Sequence, residues 1–356
     1  MKNITIVIFN LDFGGSEQVI VNLANKLSEN YSVRIVTVNN ITSEYFNLNN
    51  SIELITFSKS SFFEGVPSIL KYCFSTKDDI LISNDMPLNL VCSFAFKIFF
   101  KKNIKHILIE HSMPPIRNTF SWPIVKWIYS SADEIISVAN SIKDCLKEKF
   151  RIEKHINIIN NPIFSDTHKK TLNLSPFQQS QISKWKSANA IKILNVANLK
   201  PVKDHATLIN SVKILKSKGQ NISLLIIGDG FLKKSLEELI KVNNLEENIF
   251  LLGQYPASNK FFLMSDLFVL SSISEGFSLA LCQAAQNNLK IVSTFGAKTS
   301  ELLGDDYPYI SKVADPHDLA NKIMGAILNP KIQINEEAIL NSREEVFYKK
   351  YLRLIE

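Results

Sequence analysis

The sequence predicts an α/β protein built as two doubly wound domains, each a parallel sheet with helices on both faces. Three observations predict it. Short runs rich in Ile, Val and Leu alternate with amphipathic segments, the rhythm of repeated β–α–β units. The chain has 356 residues, too many for one ordinary core and close to the size of two domains. A polar stretch at 166–190 interrupts the rhythm, which then starts again.

The elements follow in order. Residues 4–9 read as a buried strand, because Ile, Thr and Val crowd a short run bounded by turn signals. Gly14-Gly15 then opens a helix from about residue 16, with Val19, Ile20, Leu23 and Leu27 on one face. Further strands are expected at 33–38, 80–83, 106–109, 134–138 and 156–159, and helices at 88–99, 122–131 and 141–150. Residues 1–165 form the expected first domain and 166–190 a linker with an amphipathic turn. The second series covers 191–335. Its strands are at 191–196, 223–227, 249–251, 267–270 and 290–293. Its helices run from about 204 to 217, 231 to 242, 278 to 286 and 319 to 328. A helix at about 336–356 is expected to pack back on the first domain. Ligands in such sheets bind beyond the carboxyl ends of the strands, and in a two-domain pair the natural site is the cleft between them.

Composition excludes several classes. Hydrophobic residues make up 46% of the chain, which is globular. The net charge is +6, yet of 40 Lys and Arg only Arg34, Arg117, Arg151, Arg343 and Arg353 are arginines. Sequence readers of DNA lean on Arg for bidentate base contacts, and the charge divides evenly between the halves, so no nucleic-acid partner is expected. Cys73, Cys92, Cys145 and Cys282 are scattered, with no CxxC or Cys/His cluster, against zinc and against a disulfide scaffold. A reducing cytoplasm fits best. Asn10 and Asp12 interrupt the first apolar run, so a signal peptide is not expected. The stretch 88–100 holds Lys97 and is too short to span a bilayer.

Several positions carry candidate chemistry. Gly14 and Gly15 follow a strand and open a helix, where bare backbone approaches a ligand and a helix N-terminus attracts anions; an ordinary tight turn reads the same way. Gly228-Asp229-Gly230 also follows a strand, but Lys233 stands where a dinucleotide fingerprint needs its third glycine, and no GxxxxGK[ST] occurs anywhere. Ser274-Glu275-Gly276-Phe277-Ser278 precedes a helix, and backbone N–H groups at 276–278 suit a phosphate or a sugar hydroxyl. Glu275 lies eight residues before Gln283. At about 100° per residue this places the two to flank one long ligand, unless Glu275 merely favours the helix dipole. Lys203, just past a strand, is a point charge for phosphate or one more solvated lysine. His111 sits past the strand at 106–109 as a neutral-pH proton carrier or a packed histidine. Residues 97–127 mix Lys97, Lys101, Lys102, Lys105, Arg117 and Lys126 with Phe99, Phe100, Phe120, Trp122 and Trp127, and Phe94 and Phe96 precede them. This is either an anionic-membrane contact or a core helix with solvated lysines.

These pieces, in this order, resemble family 4 of the retaining glycosyltransferases, which have the GT-B fold of two facing Rossmann-like domains with an interdomain cleft. The resemblance covers nearly the whole chain. It rests on Gly14-Gly15-Ser16-Glu17, Glu110-His111-Ser112, the segment 132–138 (ADEIISV) and Asn161-Pro162-Ile163 in the first half. In the second half it rests on Lys203 within VANLKPVKDHATLI, on IIGDGFLKKSLEEL, and on the run from 251 to 285 that contains SEGFS. The resemblance implies that the N-terminal domain binds the acceptor and the C-terminal domain a sugar nucleotide. Lys203 then contacts the donor diphosphate, and Glu275, the first Glu of an EX7E motif, contacts the transferred sugar. Gly276, Phe277 and Ser278, with Leu279 beside them, offer backbone N–H groups. Gly15, with Gly14, approaches the donor from the other domain. His111 lies near the reacting sugar and Asp229 near the nucleotide.

The sequence departs from the family at three places. Gln283 replaces the second Glu, Asn198 the Arg that accompanies the diphosphate Lys, and Asn288-Leu289-Lys290 the usual Gly-x-Pro. Losing one charged contact in a buried site weakens binding by about 1.5–3 kcal/mol if nothing replaces it; Lys200 and Lys298 are nearby substitutes. The expectation is a metal-independent retaining hexosyltransferase using a nucleotide diphosphate sugar, UDP-linked by preference, without a cofactor. Its acceptor is lipid-linked or an oligosaccharide. The Lys, Ile and Asn excess suggests an AT-rich bacterial genome, so the setting is capsule, O-antigen or other surface polysaccharide, at the cytoplasmic face of the membrane. The rival readings are a sugar-nucleotide-binding pseudoenzyme or assembly subunit, a nonhydrolysing sugar-nucleotide epimerase, and a lectin-like module.

Overall fold

The computed structural model describes the chain except for residues 13, 42–45, 99–102, 114–121, 163–172, 256–258, 298, 331 and 333–335. The chain divides into two compact units. One is Met1–Pro162 joined by Glu344–Glu356, and the other is Ile163–Arg343.

The first unit contains strands β1 (Asn3–Ile8), β2 (Ser32–Thr37), β3 (Glu53–Thr56), β4 (Ile80–Asn84), β5 (Lys105–Glu110), β6 (Glu134–Ser137) and β7 (Ile156–Ile158). Its helices are α1 (Gly15–Leu27), α2 (Phe62–Ser75), α3 (Met86–Ile98), α4 (Trp122–Tyr129) and α5 (Asn140–Glu148). The strand order is β3-β2-β1-β4-β5-β6-β7, every pair parallel. Ile6 on β1 stands between Ile35 and Ile82. Consecutive residues Ile6, Val7 and Ile8 are all buried, because a parallel sheet is covered on both faces and its central strands need apolar side chains on each.

The second unit contains α6 (Pro176–Ser187), β8 (Ile191–Val196), α7 (His205–Ser217), β9 (Ile222–Ile227), α8 (Lys233–Val242), β10 (Ile249–Gly253) and α9 (Asn259–Leu263). It continues through β11 (Leu267–Leu270), α10 (Leu279–Gln286), β12 (Lys290–Thr294), α11 (Ser300–Leu303), β13 (Ile310–Ser311), α12 (Pro316–Leu328) and α13 (Glu336–Asn341). Its parallel sheet has the order β10-β9-β8-β11-β12-β13. Both sheets thus reverse direction once, at β1/β4 and at β8/β11. At such a switch point neighbouring loops part and leave a crevice beyond the strand ends.

The structure changes three readings. The stretch 166–190 is not all linker. Ser175 and Gln178 form a capping box at the start of α6. Trp185 is fully buried and donates its indole N–H to the Ser223 carbonyl at 3.2 Å, which fastens α6 to the second unit; residues 163–172 lie outside the described residues. The segment 336–356 is two helices rather than one. Here α13 belongs to the second unit, and α14 (Glu344–Ile355) to the first. On α14, Phe347, Tyr351 and Ile355 are buried, Tyr348 donates to the Asn22 carbonyl and Lys2 to that of Ile355. Finally, β3 and α2 were not expected. Strand β3 is a short edge strand with no fully buried residue, so it lacks the apolar run that marks the others. All four cysteines are free and buried.

Candidate active site

In the second unit the polar side chains gather at the carboxyl ends of β8, β11 and β12. After β8 the chain turns through a 3-10 segment, Pro201–Lys203, and enters α7 through Asp204. Asp204 adopts a left-handed conformation (φ 47°) and caps the helix by accepting from Thr207 N–H. That conformation costs a non-glycine residue about 1 kcal/mol, least for Asp and Asn, and it turns Lys203 back toward the sheet. The Lys203 carbonyl accepts from Ser271 Oγ at 2.8 Å, and Lys203 Nζ lies 2.6 Å from Glu275 Oε1. Ser272 Oγ donates to the same Glu275 oxygen at 2.6 Å. The loop after β11 is held from both sides: Ile273 N–H donates to the Val202 carbonyl, and Glu275 N–H to the Gly296 carbonyl. Thr294 Oγ1 also donates to the Ser272 carbonyl, at 2.5 Å.

Glycine is required where these loops touch. A Cβ on Gly296 would stand 2.0 Å from the Ile273 oxygen, and one on Gly228 equally close to that of Ala197. Asp229, between Gly228 and Gly230, accepts from the Gly230 N–H and lies 3.5 Å from Lys233 Nζ. The lysine that breaks the dinucleotide fingerprint is therefore a partner of the loop aspartate.

Helix α10 begins at Leu279, with Ser278 as its cap accepting from Leu281 N–H. Glu275 is thus in the loop, and the helical arithmetic that paired it with Gln283 does not hold; Gln283 alone is on the helix. Gly276 and Phe277 are loop residues, Gly276 buried and Phe277 partly so, and the open first-turn N–H groups belong to Leu279 and Ala280. Asn198 lies just past β8 with a partly exposed side chain, while Lys200 is exposed. Lys298, the other substitute considered for the missing arginine, lies outside the described residues.

In the first unit Gly14 caps α1 and Gly15 opens it. His111 follows β5 and is buried. Its Nε2 is 3.2 Å from Asn84 Oδ1, while Asn84 Nδ2 donates to the Val7 carbonyl. That fixes the Asn84 amide, so His111 carries its proton on Nε2 and presents Nδ1 as an acceptor. Burial lowers the His111 pKa, and nearby Asp85 opposes the shift, so the ring is neutral at neutral pH. Asp85, at the start of the β4–α3 turn, is in the left-handed region (φ 63°), and its Oδ1 accepts the His111 backbone N–H at 3.3 Å.

Behind His111 lies a buried polar chain that the sequence did not announce. Glu110 Oε1 accepts from the Tyr129 hydroxyl and from Asn89 Nδ2. Asn89 Oδ1 accepts from Ser83 Oγ, which is 2.8 Å from His106 Nε2. All five side chains are buried. Burial pushes the Glu110 carboxyl up to about 8, with Asp85 adding to the shift, and it holds His106 down to about 3. Glu110 is therefore largely protonated at neutral pH.

Of the 97–127 patch, Lys97 stands 4.0 Å over the Trp127 ring, and Trp127 and Phe94 are exposed. Phe96 is instead buried beside His106, and Lys126 pairs with Glu153. Residues 99–102 and 114–121, with Lys101, Lys102, Arg117 and Phe120, are outside the described residues. Among the described residues, no helix is long and apolar enough to cross a membrane, and no three His, Cys, Asp or Glu side chains are grouped to hold a metal ion.

Two family models match the chain in tandem, Glycosyltransferase Family 4 over residues 13–166 and Glycosyl transferases group 1 over 177–345. An uncharacterized glycosyltransferase of Methanocaldococcus jannaschii is 29% identical over 76% of this chain and 71% of its own. The Campylobacter jejuni N-acetylgalactosamine-N,N'-diacetylbacillosaminyl-diphospho-undecaprenol 4-alpha-N-acetylgalactosaminyltransferase is 28% identical over 86% of this chain and 84% of its own. The crystal structure of Anabaena HepE in complex with UDP and glucose superposes with a TM-score of 0.76 at 15% identity, covering 100% of this chain and 99% of that one, and shares its fold. The chain belongs to the GT-B glycosyltransferases of the family 4 type.

Proposed function

We propose that this protein is a retaining, metal-independent glycosyltransferase that moves a sugar from a UDP-sugar to a hydroxyl of a lipid-linked or oligosaccharide acceptor. The setting is the assembly of a bacterial surface polysaccharide such as a capsule or O-antigen. The observation that carries this reading is the Lys203–Glu275 pair, 2.6 Å apart at the switch point of the second sheet. Cleavage of the bond from the anomeric carbon to the donor phosphate sends the electron pair to the diphosphate and leaves positive character on the sugar. A lysine and a carboxylate in contact suit those two developing charges. Lys203 and the first-turn N–H groups of α10 receive the diphosphate, and the ammonium supplies positive charge there without a metal ion. Glu275, fixed by Ser272, faces the sugar, with Gly276–Ser278 alongside. His111 in the first unit serves the reacting sugar through its Nδ1.

The acceptor class is supported by the Campylobacter relative, whose substrate is linked to diphospho-undecaprenol, and the donor class by the UDP bound in HepE. Front-face attack by the acceptor hydroxyl, with its proton passing to the departing phosphate, gives retention. Location at the inner membrane face is supported by Lys97, Phe94 and Trp127 on α3 and α4, a cation beside exposed aromatic rings.

The test is thermal stabilisation by a panel of sugar nucleotides, followed by transfer to a polyprenyl-diphosphate-linked sugar. Stabilisation by a UDP-sugar with an α-linked product supports the reading. Binding without turnover on any such acceptor would replace it by a sugar-nucleotide-binding subunit, a role that Asn198 and Gln283 favour. Flotation with anionic liposomes at low salt tests the membrane contact, and absence of binding removes it.

A further inference from the structure

The switch point of the first sheet lies between β1 and β4, and the residue that leaves β4 there is Asp85. Three groups lie together at this edge. Asp85 is partly exposed; among the described residues its carboxylate has one hydrogen bond, from the His111 N–H, and no cation within ion-pair distance. His111 Nδ1, a lone-pair acceptor once Nε2–H faces Asn84, is buried. Asn161, also buried, lies within hydrogen-bonding reach of the His111 ring. The Asp85 carboxylate accepts hydrogen bonds and carries a negative charge, with polar side chains beside it. Such a set repels a phosphate and leaves its acceptors unsatisfied against an apolar group. It matches a ligand that brings several O–H donors.

We propose that Asp85 binds a sugar hydroxyl, at an edge of the first unit where the buried His111 and Asn161 side chains lie beside it. This rests on the glycosyltransferase reading above. The hydroxyl can belong to the acceptor glycan or to the donor sugar, and kinetics separate the two. Asp85→Asn is the informative variant: Asn tolerates the left-handed conformation and its Oδ1 still accepts the His111 N–H, so only the charge is removed. Asp85→Gly, equally at ease at φ 63°, removes the group altogether.

The wild-type enzyme and both variants are compared for thermal melting, for hydrolysis of the best-stabilising sugar nucleotide without acceptor, and for transfer to a polyprenyl-diphosphate-linked N-acetylhexosamine. Removing a charged hydrogen-bond partner is expected to raise one KM by about ten- to a hundredfold. A rise for the acceptor with unchanged donor hydrolysis assigns the hydroxyl to the acceptor. A parallel loss of donor hydrolysis assigns it to the donor sugar. Wild-type kinetics in both variants overturns the inference, and so does loss of cooperative melting in both, since Asp85 would then be structural. A wild-type protein that neither binds nor turns over any sugar nucleotide sinks the functional reading, and this inference with it.

Discussion

Lys203 Nζ and the Ser272 hydroxyl converge on one atom, Glu275 Oε1, each at 2.6 Å. Loops from two different strands, β8 and β11, are thus joined through a single carboxylate oxygen. In the proposed reaction an arriving diphosphate would draw the ammonium away, while Ser272 would keep the carboxylate in place.

Replacing Lys203 by Ala is therefore expected to weaken binding of UDP and of a UDP-sugar by about 1.5–3 kcal/mol, roughly ten- to a hundredfold. Stability should fall less, by about 1–2 kcal/mol, because Glu275 retains its serine partner. Calorimetric titration and thermal melting measure both. Unchanged affinity for UDP would remove Lys203 from the diphosphate site.

Gly296→Ala should damage the site without touching any charged group. The added Cβ would stand 2.0 Å from the Ile273 carbonyl oxygen, so the loop that carries Glu275 must move. Sugar transfer should drop by more than about tenfold, since displacements of an ångström are costly to catalysis, while the far-UV circular dichroism stays that of the wild type. Full activity in this variant would mean that the loop yields freely.

Glu110 should make the first unit less stable as pH rises. Its folded pKa of about 8 lies above the ordinary carboxyl value. Across the interval between them the folded chain holds a proton that the unfolded chain has released, so stability falls with increasing pH and levels off above 8. Going from pH 7 to 8 should cost about 1 kcal/mol. Glu110→Gln keeps an acceptor for Tyr129 and should flatten that slope. Denaturant melts at the two pH values decide it; equal slopes in variant and wild type would show that Glu110 is ionised in the folded protein.

His205 acts in the opposite direction in the second unit. It is buried with neither ring nitrogen partnered among the described residues, and burial, with Lys203 adding, lowers its pKa to about 4. The unfolded chain takes up the proton first as pH falls through the ordinary histidine range. Stability is then lost from about 6.5 down to about 4, on the order of 3 kcal/mol in all. His205→Leu removes two unsatisfied polar atoms at similar volume and should be at least as stable at pH 7 and less acid-sensitive. A variant that melts lower at both pH 7 and pH 5 would show that the imidazole has a partner.

Much of the architecture was written in local pattern. The runs at β1, β4 and β9 are almost wholly buried on both faces, so burial alone marks them. What escaped the sequence was either weakly buried or non-local. Helix α6 buries only Ile182 and Trp185 and presents polar residues elsewhere, so it resembled a linker. The conformation of Asp85 is set by the Asp85 N–H bond to the Ile109 carbonyl on the neighbouring strand, and no spacing along the chain encodes it. The chain from His106 through Ser83 and Asn89 to Glu110 exists because β4 and β5 pair with Ser83 opposite Leu108, a register visible only once the sheet has formed. Lys203 was legible as a residue past a strand and Glu275 as one before a helix; their contact was not.

The order of synthesis gives α14 a second meaning. The first unit needs Phe347, Tyr351 and Ile355 to cover its apolar surface, yet those residues emerge only after Ile163–Arg343 has been made, roughly 10–40 s later at ribosomal rates. During that interval the nascent first unit lacks the apolar side chains of α14 while the second unit is being made. Its completion is thereby a late event, and ribosome-bound chains that stop before Glu344 should be the ones that chaperones hold.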